Sequence, residues 1–149
     1  MEPLNYRFSR ITYSEVLIME SWRYSGFEKA IYMDRYHESK KRGDCPLKGP
    51  RGCYGYAVYN IENEIFGLFE YYFEDDGVYL GLAINPDYVG RGLSTKFIND
   101  GIDFLTQNFT FDKQIKIEVH RKNIQGIKSY EKCGFRLSKR DGDILLYIK

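Results

Sequence analysis

The sequence predicts a mixed α/β fold, in which a twisted, mainly antiparallel sheet of about seven strands packs against four helices. Three alternating apolar segments follow one another through short turn sequences in the middle of the chain, which is typical of an antiparallel meander. Two later segments change from a strand pattern to a helix pattern. A chain of 149 residues that is 43% hydrophobic can bury one core, so we expect a single domain over residues 1–149.

The first part of the chain is predicted to hold one strand and two helices. The strand runs from about Leu4 to Ile11, and a helix follows over residues 15–22. Thr12 or Ser14 can cap this helix, because a hydroxyl there accepts a hydrogen bond from an N–H group of the first turn. A second helix is expected from about Phe27 to Arg42.

The middle of the chain is predicted to form the antiparallel meander. Residues 43–52 are rich in Gly and Pro, which favours an exposed loop. Strands are then expected at roughly Cys53–Asn60, Glu64–Phe73 and Val78–Ile84. The residues between them are turn-type sequences, so consecutive strands should pair antiparallel.

The last third of the chain supplies two helices and three strands. In chain order, the predicted elements are a long helix at Gly92–Asn108, a strand at Ile115–Val119, a helix at Ile124–Lys132, and a hairpin of Phe135–Ser138 with Asp143–Ile148.

Charge and hydropathy limit the partners of this protein. The formal net charge is +1, from 22 basic and 21 acidic residues, which gives no reason to expect nucleic acid or an anionic membrane as the main partner. The sequence has no apolar run of about 20 residues and does not start with a secretory signal pattern. We therefore expect a cytoplasmic protein that is a monomer or a homodimer.

The cysteines and histidines do not indicate a metal site. Cys45, Cys53 and Cys133 are odd in number and lack Cys-x-x-Cys spacing, so reduced thiols are expected. His37 and His120 have no further ligands at zinc spacing. The sequence therefore predicts no bound metal.

A segment with the shape of a phosphate site lies at residues 84–95. It leaves an apolar strand, turns through Gly90 and Gly92, and enters an amphipathic helix. The first N–H groups of a helix lack intrahelical partners and carry partial positive charge, so they can bind a phosphate with few side chains. The alternative is a plain connection between a strand and a helix.

A second strand and helix follow, with an unusual ending. After the strand comes Asn123, and the helix ends in Tyr130-Glu131-Lys132-Cys133-Gly134-Phe135. Together with Gly90-Arg91-Gly92, this segment resembles the paired signature of the GNAT superfamily of acyl-CoA-dependent N-acetyltransferases. That signature is Arg/Gln-x-x-Gly-x-Gly/Ala, followed by Asn, six residues and Tyr-Glu-Lys-x-Gly-Phe. The resemblance is most specific over Val78–Phe135, and its second part is the stronger.

The resemblance implies a GNAT-like domain in which one splayed parallel strand pair holds acetyl-CoA as acyl donor. Freed backbone groups of the first splayed strand would bind the pantetheine arm, and the glycine turn would bind the pyrophosphate. This sequence departs from the signature at Val89 and Ser94, and Arg91 can supply the missing polar side chain. The implied cofactor-binding residues are Leu82, Ala83, Ile84, Val89, Gly90, Arg91, Gly92, Leu93, Ser94, Thr95, Asn123 and Tyr130.

Two residues are candidates for moving protons. By the resemblance, Tyr130 is the acid that protonates the leaving thiolate; the alternative is a core tyrosine. The segment around Glu118 is similar to that of ribosomal-protein N-terminal alanine acetyltransferases, which implies that Glu118 is the base. A solvated strand carboxylate is the alternative, and Glu70 or a water-mediated base remain open.

The implied function is transfer of an acetyl group to a primary amine by direct transfer in a ternary complex. The near-neutral first half of the chain favours a small-molecule acceptor over a protein N-terminus. Aromatic residues around Trp22 and Tyr24 could line the acceptor side, or they could pack the helices on the sheet. The departures at Val89 and Ser94 leave a third hypothesis, a non-catalytic acyl-CoA sensor of the same fold.

Overall fold

Seven strands form one sheet in the computed structural model, which describes residues 6–25 and 31–149. The strand order is β1-β2-β3-β4-β5-β7-β6, and every neighbouring pair is antiparallel except β4 and β5. The strands are β1 Arg7–Arg10, β2 Tyr54–Tyr59, β3 Ile65–Glu74, β4 Gly77–Ile84, β5 Ile115–His120, β6 Arg136–Asp141 and β7 Ile144–Ile148. The predicted mixed fold with one parallel pair is confirmed.

Four α-helices pack on this sheet within the described ranges: α1 Tyr13–Glu20, α2 Asp34–Arg42, α3 Ser94–Asn108 and α4 Ile124–Lys132. The N–H group of Thr12 donates a 2.8 Å hydrogen bond to the carboxylate of Glu15, which closes a capping box. Helix α1 therefore begins directly after Thr12, which is one of the two residues that we predicted as its cap.

The second predicted helix is wrong at its start. We expected it from Phe27, but residues 31–33 are not helical and α2 begins at Asp34. Ile31 and Met33 face the interior while Tyr32 between them is 87% exposed, so this segment alternates with the period of an extended chain. Residues 27–30, like residues 1–5 at the predicted start of β1, lie outside the described part of the chain.

Two other predicted segments differ from the structure. The 43–52 segment is a loop as expected, with a short 3₁₀ helix at Pro50–Gly52. Leu47 is buried in a core, so the loop is not exposed throughout. The final hairpin is longer than predicted, because β6 continues to Asp141 and the chain turns at Gly142, which has a φ of +61°. Only glycine adopts such a φ without steric cost.

Each face of the sheet covers its own core. Strand residues with the parity of Phe69 pack against α3 and α4, and those with the parity of Leu68 pack against α1 and α2. The larger core is built around the buried rings of Phe69 and Phe97, which lie 5.2 Å apart. The smaller one includes Met19 of α1 and Tyr36 of α2.

Strands β4 and β5 separate soon after they meet. They pair at only two positions, Val78 with Ile115 and Tyr79 with Lys116. Beyond Tyr79, β4 stays bonded to β3 on its other side as far as Ile84. A cavity of about 350 Å³ lies where the two parallel strands diverge.

Candidate active site

The cavity between β4 and β5 brings together some of the residues that the sequence singled out. Its walls come from β3, β4, β5, helix α4 with the residue that caps it, the segment before α2 and Pro50. Six predicted site residues line it: Glu70, Leu82, Ala83, Glu118, Asn123 and Tyr130.

Ile84 is not among the residues that line the cavity. Its carbonyl oxygen accepts a 2.6 Å hydrogen bond from the phenol of Tyr24. This bond occupies one lone pair of the carbonyl oxygen, and the contact of Ile84 with the cofactor stays a prediction. The same bond gives Tyr24 a structural role at the end of β4, and Trp22 is buried in the smaller core. Trp22 therefore packs in a core, and the contact of either residue with the acceptor stays a prediction.

The strand register puts two glutamates in one row across the sheet. Glu70 of β3 pairs directly with Gly81 of β4. Gly81 lies three residues after Val78, and Glu118 lies three residues after its partner Ile115. Glu70, Gly81 and Glu118 therefore share a row and a face, with a glycine between the two carboxylates.

Glu118 is exposed on β5 at the edge of the cavity. Ile115, Ile117 and Val119 are buried in the larger core, so the predicted alternation of this strand is confirmed. Glu118 belongs to the opposite face, where its carboxylate can reach a ligand in the cavity. That exposure suits a group that exchanges protons with a bound amine.

Glu70 has quite different surroundings. The phenol of Tyr36 donates a 2.5 Å hydrogen bond to one of its oxygens, and the phenol of Tyr72 donates a 3.0 Å bond to the other. Burial raises the pKa of this carboxyl, while the two phenol bonds oppose that rise. Burial also raises the pKa of the neighbouring Cys53 thiol to about 12, and the nearby Glu70 adds to the rise.

Tyr130 lies at the boundary between the cavity and the larger core. It is 7% exposed, and its ring centroid is 6.2 Å from that of Phe135. The predicted buried stripe of Ile124 and Ile127 is wrong at Ile124, which is 53% exposed. Ile124 precedes Tyr130 by six residues, so it is rotated from Tyr130 by about 120° around the helix.

Asn123 caps α4, as predicted. Its side-chain oxygen accepts a 3.0 Å hydrogen bond from the N–H group of Gly126. A Cβ atom on Gly126 would lie 2.6 Å from the amide nitrogen of Asn123, so a larger residue there would displace the cap. Asn123 also borders the cavity, which leaves its predicted cofactor contact geometrically open.

The glycine turn before α3 has the shape that a pyrophosphate site needs. Gly90 and Gly92 have φ values of +82° and +72°, and a Cβ atom on either would meet nothing within 4 Å. The backbone is thus open to a ligand at both positions. The predicted helix start at Gly92 is two residues early, because a left-handed residue cannot belong to α3, which begins at Ser94.

The residues around this turn also fit an anionic group. Val89 is 54% exposed and offers no polar side chain. The guanidinium of Arg91 lies 5.5 Å from the centre of the Tyr88 ring, which steadies a positive charge beside the turn. Helix α3 has fifteen residues, so its N-terminus presents a full dipole to the turn. The turn before α3, with Arg91 beside it, therefore fits the phosphates of coenzyme A.

Sequence reasoning missed the part that Gly81, Tyr36 and Tyr72 play in the site. A glycine inside a strand indicates a close approach of another group, so Gly81 carried a signal that could have been used. The contact between Tyr36 and Glu70 spans 34 residues and joins a helix to a strand. No local pattern in the sequence indicates it.

No group of three or more possible metal ligands occurs in the part of the chain that the structure describes. Among these same residues, no helix has the length and apolar character needed to cross a membrane.

Comparisons with known proteins agree with this geometry. A sequence model of the acetyltransferase (GNAT) family matches residues 16–135. The uncharacterized protein YxbD of Bacillus subtilis (strain 168) is 28% identical over 85 residues, which cover 57% of this chain and 52% of that protein. The match thus spans about half the length of this curated relative.

Solved structures share the fold. A spermidine N-acetyltransferase SpeG chimera from Vibrio cholerae and hSSAT has a TM-score of 0.75 at 15% identity, over 97% of this chain and 94% of that one. The Campylobacter jejuni N-acetyltransferase PseH, solved in complex with acetyl coenzyme A, has a TM-score of 0.71 at 16% identity, over 97% of each chain. The family match covers most of the sequence, so the chain belongs to the acetyltransferase (GNAT) family.

Proposed function

We propose that this protein transfers the acetyl group of acetyl-CoA to a primary amine of a small molecule, by direct transfer in a ternary complex. The observation that carries the proposal is the position of the cavity at the gap between β4 and β5. Glu118 borders this cavity on the α1 and α2 side of the sheet, and Tyr130 borders it from the core on the α3 and α4 side. A base and an acid thus flank one opening.

The donor side of the site consists of the turn before α3 and the free edge of β4. Residues 89–95 present an open backbone and a helix N-terminus to the phosphates. Leu82 and Ala83 line the cavity beyond the position where β4 last pairs with β5. The backbone groups of Leu82 point away from β3, so they can contact the pantetheine arm. When bound, acetyl-CoA supplies an activated acyl group and a stable leaving thiolate.

The residues of this chain then manage the protons. An ammonium group cannot attack until it loses a proton, and the carboxylate of Glu118 can accept that proton at the exposed edge of the cavity. The phenol of Tyr130 is a hydrogen-bond donor and can deliver its proton from its oxygen to the leaving thiolate. Transfer within one complex needs no covalent intermediate on the protein.

The size of the cavity supports a small acceptor. Its volume of about 350 Å³ is at the lower end of small-molecule sites, and Ile31, Tyr32 and Pro50 border its outer side. A protein N-terminus as acceptor, like that of the ribosomal-protein alanine acetyltransferases, is the alternative within this family. The proposed domain extent of 1–149, the cytoplasmic location and the monomeric or homodimeric state stay predictions from the sequence.

A cofactor-binding sensor without catalysis is the alternative of another class, and Val89 and Ser94 at signature positions motivate it. An amine screen separates the two, because a sensor acetylates no amine in the panel while acetyl-CoA still binds. Hydrolysis of acetyl-CoA without an acceptor does not separate them.

The binding half of the proposal is tested by thermal unfolding with acetyl-CoA. At about one hundred times its dissociation constant, a ligand adds roughly 2.7 kcal/mol to the free energy of unfolding, which raises the melting temperature by several degrees. Gly92→Glu should abolish this rise, since it puts a negative side chain into the phosphate turn.

Gly142→Glu is the matched control. Gly142 also has a positive φ and an open environment, but it lies in the hairpin between β6 and β7. It therefore reproduces the backbone strain and the added charge away from the site. Absence of a shift in the parent protein, or equal loss of the shift in both variants, contradicts the proposed cofactor site.

A further inference from the structure

We propose that the acceptor carries a second cationic nitrogen and that Glu70 binds it while Glu118 faces the reacting amine. This inference rests on the proposed function and names its substrate class, an α,ω-diamine or a longer amine of the same kind. It assigns Glu70 a role in specificity rather than in proton transfer.

The row of Glu70, Gly81 and Glu118 sets the spacing of the two negative charges. Adjacent strands of a sheet lie about 4.8 Å apart, so residues two strands apart in one row are roughly 10 Å apart. Because β5 has already separated from β4 at this level, the Cα atoms of Glu70 and Glu118 are at least about that far apart. A ligand that contacts both carboxylates must therefore be extended and charged at two places.

Gly81 keeps the space between the carboxylates open. A Cβ atom at this position would lie 3.0 Å from a carboxylate oxygen of Glu70 and 3.3 Å from the ring of Tyr72. Any other residue would therefore crowd Glu70 and project from the cavity floor between the two glutamates. The glycine leaves a path along which an aliphatic chain can run from one carboxylate to the other.

Glu70 accepts hydrogen bonds but has no positively charged partner. Its two oxygens accept hydrogen bonds from Tyr36 and Tyr72, and neither phenol carries a positive charge. Within residues 6–25 and 31–149, no lysine, arginine or histidine forms an ion pair with Glu70.

Asp100 is a useful contrast. It is also a buried acid, and Lys96 lies 2.7 Å from its carboxylate. A partly desolvated carboxylate without a cation is costly, and burial accordingly raises the pKa of Glu70. A cationic ligand removes that cost, because it supplies the charge that Lys96 supplies to Asp100.

Three basic side chains around Glu70 and Glu118 have acidic partners of their own. The guanidinium of Arg51 lies 4.9 Å from the centre of the Tyr72 ring and 3.5 Å from a carboxylate oxygen of Glu74. The ammonium of Lys116, one row away, lies 3.6 Å from a carboxylate oxygen of Asp76. His120, on the other side of Glu118, lies 3.7 Å from Asp143. The cavity itself has apolar walls at Leu68 and Leu80, which suit the methylene groups of an aliphatic amine.

The test compares α,ω-diaminoalkanes with n-alkylamines of the same chain length, using acetyl-CoA as donor. The parent protein should acetylate the diamine with a kcat/KM at least 10-fold above that of its monoamine partner. Glu70→Gln should lower kcat/KM for the diamine by about 10- to 100-fold, the range expected for a lost hydrogen bond to a charged group. It should leave the monoamine rate within a factor of about two.

Two further variants control for charge and for folding. Asp112→Asn removes one negative charge from the exposed loop between α3 and β5 and should leave both substrates unaffected. Glu70→Asp keeps the charge but withdraws it by one methylene, so it should move the preferred diamine to a longer chain. This shift in preference can be measured even if Glu70→Gln does not fold.

Each result decides the proposal. Equal kcat/KM for diamines and monoamines in the parent overturns the anchor role of Glu70 and leaves the acetyltransferase function standing. An equal loss for both substrates in Glu70→Gln also overturns it, because a base or a structural residue behaves in that way. A parent protein that binds acetyl-CoA but acetylates neither class contradicts the proposed function, and this inference with it.

Discussion

Ser94 and Ser129 are joined by a hydrogen bond of 2.6 Å between their hydroxyl oxygens. The Ser129 hydroxyl also donates a 3.0 Å bond to the carbonyl of Gln125. A hydroxyl has one hydrogen, so Ser94 is the donor of the bond between the two serines. The departure from the family signature at Ser94 thus fastens the start of α3 to α4, one residue before Tyr130.

Removal of this link should cost stability. Ser129→Ala leaves the Ser94 hydroxyl without its partner, and we expect a loss of about 1 kcal/mol in the free energy of unfolding, measured by urea titration. The control is Ser138→Ala on the exposed edge strand β6, which should change stability by less than about 0.5 kcal/mol. Equal stability of the two variants would show that the serine pair does not hold the helices together.

The buried carboxyl of Glu70 should give the protein a distinctive pH dependence of stability. Burial raises its pKa in the folded state above that in the unfolded chain. Between these two values the folded state binds more protons, so stability falls as the pH rises. The stabilisation by protonated Glu70 is complete below the unfolded pKa of about 4 and is lost as the pH rises through the folded pKa.

Glu70→Gln cannot ionise and removes this dependence. The melting temperature of the parent minus that of Glu70→Gln should therefore decrease as the pH is raised from about 4. A difference that stays constant, or that grows with pH, would show that Glu70 has no raised pKa in the folded protein.

Glu118 is tested through the pH profile of catalysis. If its carboxylate accepts the proton of the acceptor amine, Glu118→Gln should lower turnover and remove the acidic limb of the profile. Its affinity for acetyl-CoA should be unchanged. If the pH profile is unaltered, Glu118 is not the base, and Glu70 or a water molecule accepts the proton instead.

The sheet was predictable from sequence because its signals are local. Alternation in β5, for example, placed Ile117 inward and Glu118 outward, and both lie as expected. The cap at Asn123 was predictable for the same reason, since a side chain that binds the N–H group three residues later leaves a short-range pattern.

The parts that escaped sequence analysis depend on contacts between distant segments. The start of α2 was placed too early because the alternation of Ile31 and Met33 toward the interior spans only a few residues. The position of Ile124 depends on how α4 is rotated against the sheet, and the family motif does not report that rotation. The phenols on Glu70 come from a helix and from a neighbouring position on the strand, and only the folded chain brings them together.

The central claim is that Tyr130 supplies the proton at the gap between β4 and β5. Tyr130→Phe removes one oxygen and keeps the ring against Phe135, so the melting temperature should change little. A positioned general acid contributes about 10²- to 10⁴-fold to the rate. Its loss should affect the transition state far more than the bound ground state.

The decisive measurement is the single-turnover rate of acetyl transfer by Tyr130→Phe, with saturating acetyl-CoA and an acceptor that the parent protein acetylates. We expect a rate about 10²- to 10⁴-fold below that of the parent, with an affinity for acetyl-CoA that is nearly unchanged. A Tyr130→Phe variant that transfers acetyl groups as fast as the parent, with chemistry shown to be rate-limiting, would contradict the account and leave Tyr130 as a packing residue.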